Sequence, residues 1–207
     1  NKETITLEPV KLSKLPNALT WNNEPKLLET NGVNTLSMAA GPQTDWFYDP
    51  AGRKHCSNAP VALFSPPDEA CLLSAKVMVG FNSTFDAGVL FIYEDDERWA
   101  KLCFEYAPTD KPMVVSVVTR GKSDDCNSVY IDDNSIYLRL YRQGDRLAFH
   151  YSEDGEYWHM VRHFMIEDLQ NIRIGFSAQA PTGEGCQVEF SEINYRAAEL
   201  SDIRNGE

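Results

Sequence analysis

The stretch "DAGVLFIYEDDERWAKLCFEY", residues 86–106, decides the fold class. Its second half alternates strictly between Ala100, Leu102, Phe104 and Tyr106 on one face and Trp99, Lys101, Cys103 and Glu105 on the other. A period of two residues is typical of a β-strand. The polar "EDDER" between the two apolar runs predicts a hairpin turn, so the stretch predicts two antiparallel strands.

Runs of the same kind recur along the chain, namely "CLLSAKVMVG", "MVVSVVTR", "IYLRLYR", "RLAFHYSEDGEYWHMVRHF", "IRIGFSAQA" and "CQVEFSEINYRA". Turn signals such as "PPDE", "APTDKP" and "RQGD" separate them, and Asp154-Gly155 predicts a further hairpin turn. About a dozen strands with almost no helical period indicate antiparallel sheets packed face to face. The sequence therefore predicts an all-β fold, a two-sheet antiparallel jelly-roll sandwich.

The domain organisation follows from the absence of internal boundaries. No repeat and no low-complexity linker divides the chain, so we expect a single domain over residues 1–207. Its core is predicted to span about residues 19–195. The polar ending "AAELSDIRNGE" is expected to fray as a C-terminal tail.

Charge excludes two classes of partner. The net charge is −12 with a pI near 4.8, and no basic stripe counters it. Such a chain repels phosphate backbones, so no nucleic-acid partner and no anionic membrane partner are expected. No apolar run approaches the roughly 18 residues of a membrane-spanning helix.

The cysteines bear on the redox compartment. Their number, five, is odd, and Cys56, Cys71, Cys103, Cys126 and Cys186 are widely spaced without a CxxC pair. Isolated cysteines in a large core are usually small buried thiols, although one or two disulfides stay an alternative. Unpaired thiols favour the cytoplasm as the compartment. Because the chain starts without Met, export stays open as well.

Several blocks resemble a known family in order and spacing. They are "LTWNNEP", "GPQTDWFYDP", residues 86–106, "SVVTRGKSDD", "YLRLYRQGDRLAFHYSEDGEYW" and "GFSAQAPTGEGCQVEFSEI". Together, from Leu19 to Tyr195, they resemble the regulation-of-enolase-like family, a family of unassigned function in the concanavalin A-like lectin/glucanase superfamily. A similar cadence occurs in sugar-binding sandwich domains appended to xylosidases. The resemblance implies a jelly roll with a concave face, which often binds glycans in the superfamily, and it implies no established reaction.

The strand around Lys101 holds the first candidate site. Lys101 and Glu105 lie four residues apart on one face, about 13 Å apart along a strand, with Trp99 beside them. Charged groups at this spacing suit sugar hydroxyls, and the Trp99 ring offers a face for stacking. The alternative is a solvated outer strand that carries two ordinary charges.

The block "TDWFYDP" supplies further candidates by the same resemblance. Carried over, Thr44 and Asp45 would lie near the rim of the concave face with Trp46. If the block is extended, its alternation puts Trp46 and Tyr48 towards the groove and Phe47 in the core. Alternatively, Asp45 caps its own loop and the aromatic residues cover the edge of the sandwich. The following "AGRKHCSNAP" departs from the family pattern, which leaves the placement of Tyr48 open.

Thr119 is the last candidate ligand-binding residue, because it would face the same groove as Lys101 if the strands pair in register. Arg120 stands where the family usually has a smaller polar residue.

The motifs of catalysis and metal binding are missing. Glu94 and Asp96 share parity, but they lie in the predicted turn rather than in mid-strand, so no catalytic pair is assigned. His159 and His163 would lie about 13 Å apart on a strand, too far to share an ion. The acidic pairs Asp124-Asp125 and Asp132-Asp133 lack the ligand spacing of a calcium loop. We therefore predict no metal and no cofactor.

Three functions remain open. The first is a non-catalytic sandwich that binds a glycan or polyol through Thr44, Asp45, Trp46, Tyr48, Trp99, Lys101, Glu105 and Thr119. The second is a protein-interaction or regulatory module, as the family name implies, with a protein partner in the same groove. The third, an enzyme, is less favoured and would be a glycoside hydrolase using an unrecognised carboxylate pair such as Glu105 with Asp45.

Overall fold

A computed structural model describes residues 7–207 of the chain, and these residues form sixteen β-strands. The strands are β1 (Thr20–Asn22), β2 (Leu27–Thr30), β3 (Leu36–Ala40), β4 (Trp46–Tyr48), β5 (His55–Ser57), β6 (Val61–Phe64), β7 (Ala70–Val79), β8 (Ala87–Asp95), β9 (Arg98–Tyr106), β10 (Pro112–Arg120), β11 (Lys122–Tyr130), β12 (Ser135–Gln143), β13 (Arg146–Ser152), β14 (His159–Met165), β15 (Arg173–Gln179) and β16 (Cys186–Arg196). The predicted all-β class is confirmed.

Two large sheets and one small one contain these strands. The first sheet has the order β1-β6-β15-β8-β9-β10-β11, and the second has the order β14-β13-β12-β7-β16-β3-β2. The third is the two-stranded sheet β4-β5. Every strand pairing among the described residues is antiparallel, so the predicted two-sheet antiparallel jelly-roll sandwich is confirmed as well.

The main core lies between the two large sheets. Ala100, Leu102 and Phe104 of β9 enter it, as the alternation predicts, and they meet residues such as Leu73 and Leu138 from the second sheet. Full burial of an aliphatic or phenyl side chain stabilises the folded state by roughly 1.5–3 kcal/mol. The strict alternation of β9 therefore sets which face of the strand turns inward.

The outer face of the first sheet carries a second apolar cluster. Trp46 and Tyr48 of β4 lie on Phe91 and Trp99, with ring centroids 5.3 Å apart for Trp46 and Phe91 and 5.4 Å apart for Tyr48 and Trp99. The hairpin β4-β5 thus covers much of a face that we expected to be an open groove. The face is not an open groove because it carries a second set of large apolar side chains, and the hairpin shields these side chains from water.

Two predicted turns have the expected form. Strands β8 and β9 are joined through Asp96-Glu97, within the polar "EDDER" stretch. Strands β13 and β14 are joined by residues 153–158, where Gly155 has φ of 80°. A positive φ is easy for glycine and strained for residues with a Cβ atom, so the Asp154-Gly155 signal predicted this turn correctly.

The C-terminal segment does not fray as predicted. Ala198, Leu200 and Ile203 pack on an apolar patch of the second sheet that includes Tyr141. Although the composition of this segment is polar, its three apolar side chains all face the second sheet. Within residues 7–207 no helix is long and apolar enough to cross a membrane.

Candidate functional site

A buried ion pair forms the centre of the site on the outer face of the first sheet. Lys101 of β9 is only 3% exposed and lies between Phe91 and Val117 on the neighbouring strands. Its Nζ donates to Asp45 Oδ1 at 3.1 Å and to Gln179 Oε1 at 2.8 Å. An ammonium group offers three N–H donors. Among the described residues, these contacts use two of the donors and leave the third without an acceptor.

Asp45 comes directly before β4 and is held from three sides. Its Oδ1 also accepts from the backbone N–H of Trp46 at 2.8 Å, and its Oδ2 accepts from Lys54 Nζ at 2.6 Å. Burial alone would raise the pKa of this carboxyl, but the ammonium groups of Lys101 and Lys54 outweigh burial and hold the pKa below its usual value. Asp45 is therefore ionised, and both of its carboxylate oxygens are engaged in contacts within the protein.

Gln179, at the end of β15, connects the two polar ends of the site. While its Oε1 accepts from Lys101, its Nε2 donates to the Phe85 carbonyl at 3.0 Å and to Glu105 Oε1 at 3.3 Å. Lys101 and Glu105, predicted to act together along one strand, are thus linked through a third side chain. Sequence reasoning missed Gln179. The available signal was a lone amide at the end of the apolar run "IRIGFSAQA".

The two remaining carboxyls of the site have raised pKa values. Burial raises the pKa of Glu105 to about 8, and although Lys101 opposes the shift, the negative charges of Asp125 and Asp45 add to it. Burial likewise raises the pKa of Asp125, against the pull of Lys101. Glu105 is therefore mostly protonated at neutral pH and able to donate a hydrogen bond, as a carboxylate cannot.

A pocket of about 200 Å³ opens above these groups. Its lining residues are Asp45, Phe47, Lys54, Phe85, Lys101, Glu105, Val117, Asp125 and Gln179. Phe85 adopts φ of 72°, a left-handed conformation that is uncommon for a bulky side chain. Strain of this kind persists where the surroundings hold it, and here the Gln179 bond to the Phe85 carbonyl does so. The pocket thus combines aromatic walls with a polar floor.

Three of the eight predicted site residues line this pocket: Asp45, Lys101 and Glu105. The predicted stacking surfaces are wrong, because Trp46, Tyr48 and Trp99 are 3%, 3% and 0% exposed. Trp46 donates through Nε1 to the Ala59 carbonyl at 2.9 Å, which fixes its ring inside the cluster. A ring that packs on both faces has no surface left for a sugar.

The orientation of the three aromatic residues of β4 is also the reverse of the prediction. Trp46 and Tyr48 do share one face of β4 and Phe47 the other, but the pair fills the cluster and Phe47 reaches the pocket. The Tyr48 hydroxyl donates to the Asp96 carbonyl at 2.7 Å. The sequence predicted correctly that Trp46 and Tyr48 share one face of β4, but it could not predict which face of β4 packs on the sheet.

The two threonines support the site from outside the pocket. Thr119 is fully buried, and its hydroxyl lies 2.8 Å from that of Ser123, which in turn accepts from the Tyr48 N–H at 2.9 Å. Thr44 pairs with Ala180, its N–H donating to the Ala180 carbonyl at 3.0 Å. Both residues fasten the β4 segment to the sheet, and neither lines the pocket.

Metal and catalytic groups can be placed as well. In the part of the chain that the structure describes, no group of three or more His, Cys, Asp and Glu side chains is arranged to hold a metal ion. Glu94, predicted in a solvated turn, is 9% exposed and accepts from the N–H groups of Gln170 and Asn171. Its role is to hold a neighbouring loop. All five cysteines are free thiols.

Comparison with protein families identifies the chain's relatives. Residues 21–198 match the family described as "Protein of unknown function (DUF1349)". The chain belongs to this family. The match covers the whole of both large sheets except the first residue of β1, so the DUF1349 region contains the complete pocket. Curated protein sequences gave no match to the DUF1349 chain.

Solved structures resemble the DUF1349 chain in fold. A functionally unknown protein from Saccharomyces cerevisiae is 23% identical with a TM-score of 0.80, covering 92% of this chain and 100% of its own. The GH43 protein BlXynB from Bacillus licheniformis is 15% identical with a TM-score of 0.68, over 87% of this chain and 36% of that protein. The carbohydrate-binding module CBM66 from Bacillus subtilis is 10% identical with a TM-score of 0.50, over 85% and 94%.

These likenesses establish the sandwich fold of the DUF1349 chain. They agree with the two-sheet jelly roll that the sequence blocks imply. The chain spans about a third of BlXynB, so it corresponds to one part of that larger protein. At these identities the likeness is one of architecture, and the chemistry of the pocket has to be argued from its own residues.

Proposed function

We propose that this chain is a non-catalytic carbohydrate-binding sandwich that takes a sugar or related polyol in the pocket between Phe47 and Phe85. The observation that carries the proposal is the convergence of hydrogen-bonding groups from Lys101, Gln179 and Glu105 on a 200 Å³ space with aromatic walls. Sugars present hydroxyls at their rim and C–H groups on their faces. A polar floor and aromatic walls match both features.

The donors and acceptors of the pocket are complementary to a hydroxyl-rich ligand. The third N–H of Lys101 and the carboxyl proton of Glu105 are donors, while the side-chain oxygens of Asp125 are acceptors. Hydrogen bonds that involve charged groups are stronger than neutral ones. The structural likeness to a carbohydrate-binding module and to GH43 proteins supports the same ligand class.

A glycan array followed by isothermal titration calorimetry tests the proposal. Phe85→Ala is the matched variant, because Phe85 is 37% exposed and its loss should disturb the fold little. We expect the glycan found on the array to bind about ten-fold more weakly to this variant, because one stacking surface is lost. Tyr157→Ala, at a 54% exposed residue outside the pocket, is the control. No glycan on the array, or equal binding by both variants, would refute the proposal.

A protein-interaction role of the kind that the regulation-of-enolase-like family name implies is the second candidate. The observation in its favour is the exposure at the pocket mouth, where the Lys54 side chain is 41% exposed next to Phe85. A partner's loop could place a carboxylate on Lys54. Pull-down with the wild type and with Lys54→Glu, compared with glycan binding by the same samples, separates the two roles.

A glycoside hydrolase acting through Asp45 and Glu105 has less support. Both oxygens of Asp45 are engaged by Lys101, Lys54 and the Trp46 N–H. A carboxylate held in this way is a weak nucleophile or base, because its lone pairs and its charge are already shared. Hydrolysis of any glycan that binds, measured by release of reducing ends, would overturn the non-catalytic assignment.

A further inference from the structure

A second binding surface lies on the outer face of the second sheet, where residues 197–207, here called the strap, are seated. The apolar side chains of the strap, Leu200 and Ile203 among them, pack on Leu72, Tyr141 and Ala148. This surface belongs to the sheet opposite the one that carries the sugar pocket. A role for this surface is therefore independent of the function proposed for the sugar pocket.

Side chains of the sheet hold the strap through its backbone. The Leu200 N–H donates to the Tyr141 hydroxyl at 3.2 Å. His150 Nε2 donates to the Ile203 carbonyl at 2.7 Å, and Arg139 Nη2 donates to the Gly206 carbonyl at 2.8 Å. Hydrogen bonds to a backbone do not depend on which side chains the bound segment carries. The sheet thus presents a row of groups suited to an extended or turned peptide.

Arg139 and His150 retain unused binding capacity. They face each other directly across β12 and β13 and are 4% and 0% exposed. The Arg139 guanidinium lies 4.5 Å from the centre of the Trp158 ring, and within residues 7–207 it has no carboxylate at ion-pair distance. Among residues 7–207, neither Arg139 Nε nor His150 Nδ1 has a hydrogen-bond partner. A buried cation without a counterion is unusual, and an acidic ligand would supply one.

The strap also shows which side chains the surface accepts. Leu200 and Ile203 are its large apolar contacts, three residues apart. At Gly206, with φ of 76°, an added Cβ would lie 2.5 Å from Trp158 Cβ and 2.7 Å from Arg139 Nη2, so only glycine fits. The other strap side chains include three acids, Glu199, Asp202 and Glu207, which are exposed. The exposed acids do not touch the sheet, so the fit to the surface defines the pattern Leu-x-x-Ile-x-x-Gly alone.

We propose that this face is a peptide-binding surface that the strap occupies in cis, and that its partner is an acidic segment of another protein with the pattern Leu-x-x-Ile-x-x-Gly. The strap is an internal competitor, because a segment tethered to its own site has an effective concentration of about millimolar. A partner gains over the strap when a residue next to its glycine offers a carboxylate to Arg139, because the strap gives this guanidinium only the neutral Gly206 carbonyl.

Fluorescence anisotropy with the labelled peptide "AAELSDIRNGE" tests the proposal on the full chain. The variant Ile203→Asp/Gly206→Leu carries a strap that no longer fits, so its surface should be open. We expect the peptide to bind this variant at least about ten-fold more tightly than the wild type, whose strap competes. Tyr141→Phe in the open variant should weaken binding several-fold, which locates the site.

Two peptide variants complete the test. A peptide with Ile203→Asp should bind at least about ten-fold more weakly, because a charge would enter the apolar contact. A peptide with Arg204→Ala should bind equally well, because Arg204 is exposed in the strap. Should the double variant lose its strand signal in circular dichroism, Gly206→Leu alone takes its place. Absent binding to the open protein, equal binding to open and wild-type protein, or indifference to Ile203→Asp would overturn the proposal.

Discussion

Lys101 and Asp45 form an ion pair at 3.1 Å although they are 56 residues apart in the chain. Lys101 belongs to a central strand of the first sheet, whereas Asp45 opens the hairpin that covers it. Both are buried, at 3% and 6% exposure. The pair therefore fastens the cover to the sheet and at the same time shapes the floor of the pocket.

Replacing one member of this pair should destabilise the chain. We expect Lys101→Met to lower the free energy of unfolding by about 3 kcal/mol, because Asp45 would keep a buried charge with Lys54 alone. The control is Lys54→Met, with an expected loss of about 1 kcal/mol or less, since that side chain is 41% exposed. Urea unfolding measures both. Similar losses in the two variants would show that burial does not distinguish the two contacts.

Trp99 should be a stability residue rather than a ligand contact. Its side chain is fully buried and packs against Phe91 at a centroid distance of 5.5 Å. We expect Trp99→Ala to lower the free energy of unfolding by about 3–5 kcal/mol through the cavity it leaves. Tyr157→Ala, at a 54% exposed site, should stay within about 0.5 kcal/mol. A Trp99→Ala protein as stable as the control would contradict the packing described here.

Glu105 should make stability fall as the pH rises. Its pKa in the folded chain is about 8, above its ordinary value of 4.5, so the folded state keeps a proton that the unfolded state releases between these values. Stability should therefore decline from pH 4.5 to pH 8, by at most about 1.4 kcal/mol per pH unit from this one group. Glu105→Gln, which cannot ionise, should remove this part of the slope. Thermal unfolding across that range checks it, and an unchanged slope in the variant would argue against the shift.

His150 should act in the opposite direction. Its pKa is lowered from 6.5 to about 4, chiefly by burial and also by the charges of Arg139 and His163, whereas the bond to the Ile203 carbonyl raises it. The folded chain thus holds His150 neutral, and its contribution to stability is lost as the pH falls from 6.5 to 4. Hydrogen exchange at the strap amides, divided by the intrinsic exchange rate, should therefore accelerate as the pH falls over this range.

The control for this effect is His150→Gln, which retains an N–H donor for the Ile203 carbonyl but does not titrate. Its strap amides should exchange at a rate that changes little between pH 6.5 and pH 4, once the intrinsic exchange rate is divided out. Equal acceleration in wild type and variant would assign the effect to another group.

The faces of β9 were predictable because alternation is a local property. Leu102 and Phe104 had to lie opposite Lys101 and Cys103 whatever the rest of the chain does, and they do. The roles of the residues on the second face were not predictable in the same way. Trp99 and Lys101 share that face, yet one lies under the hairpin and the other lines a pocket.

Gln179 and Phe85 show a second limit. Both line the pocket, and neither was a candidate, because their meeting with Glu105 depends on the pairing of β15, β8 and β9. The strap shows a third. Its composition is polar overall, and only the sheet beneath it reveals that Leu200 and Ile203 turn to the same side.

The sequence by itself determined the all-β class, the hairpin turn at "EDDER", the turn at Asp154-Gly155 and the inward face of β9, since periodicity and turn chemistry act over a few residues. Only the tertiary structure decided which outer-face side chains are covered and which remain accessible. That outcome depends on where the hairpin of Trp46 and the strap of Ile203 come to rest, tens of residues away from the surfaces they cover. Long-range packing is not encoded in any local period, and for this reason the pocket replaced the groove that the sequence predicted.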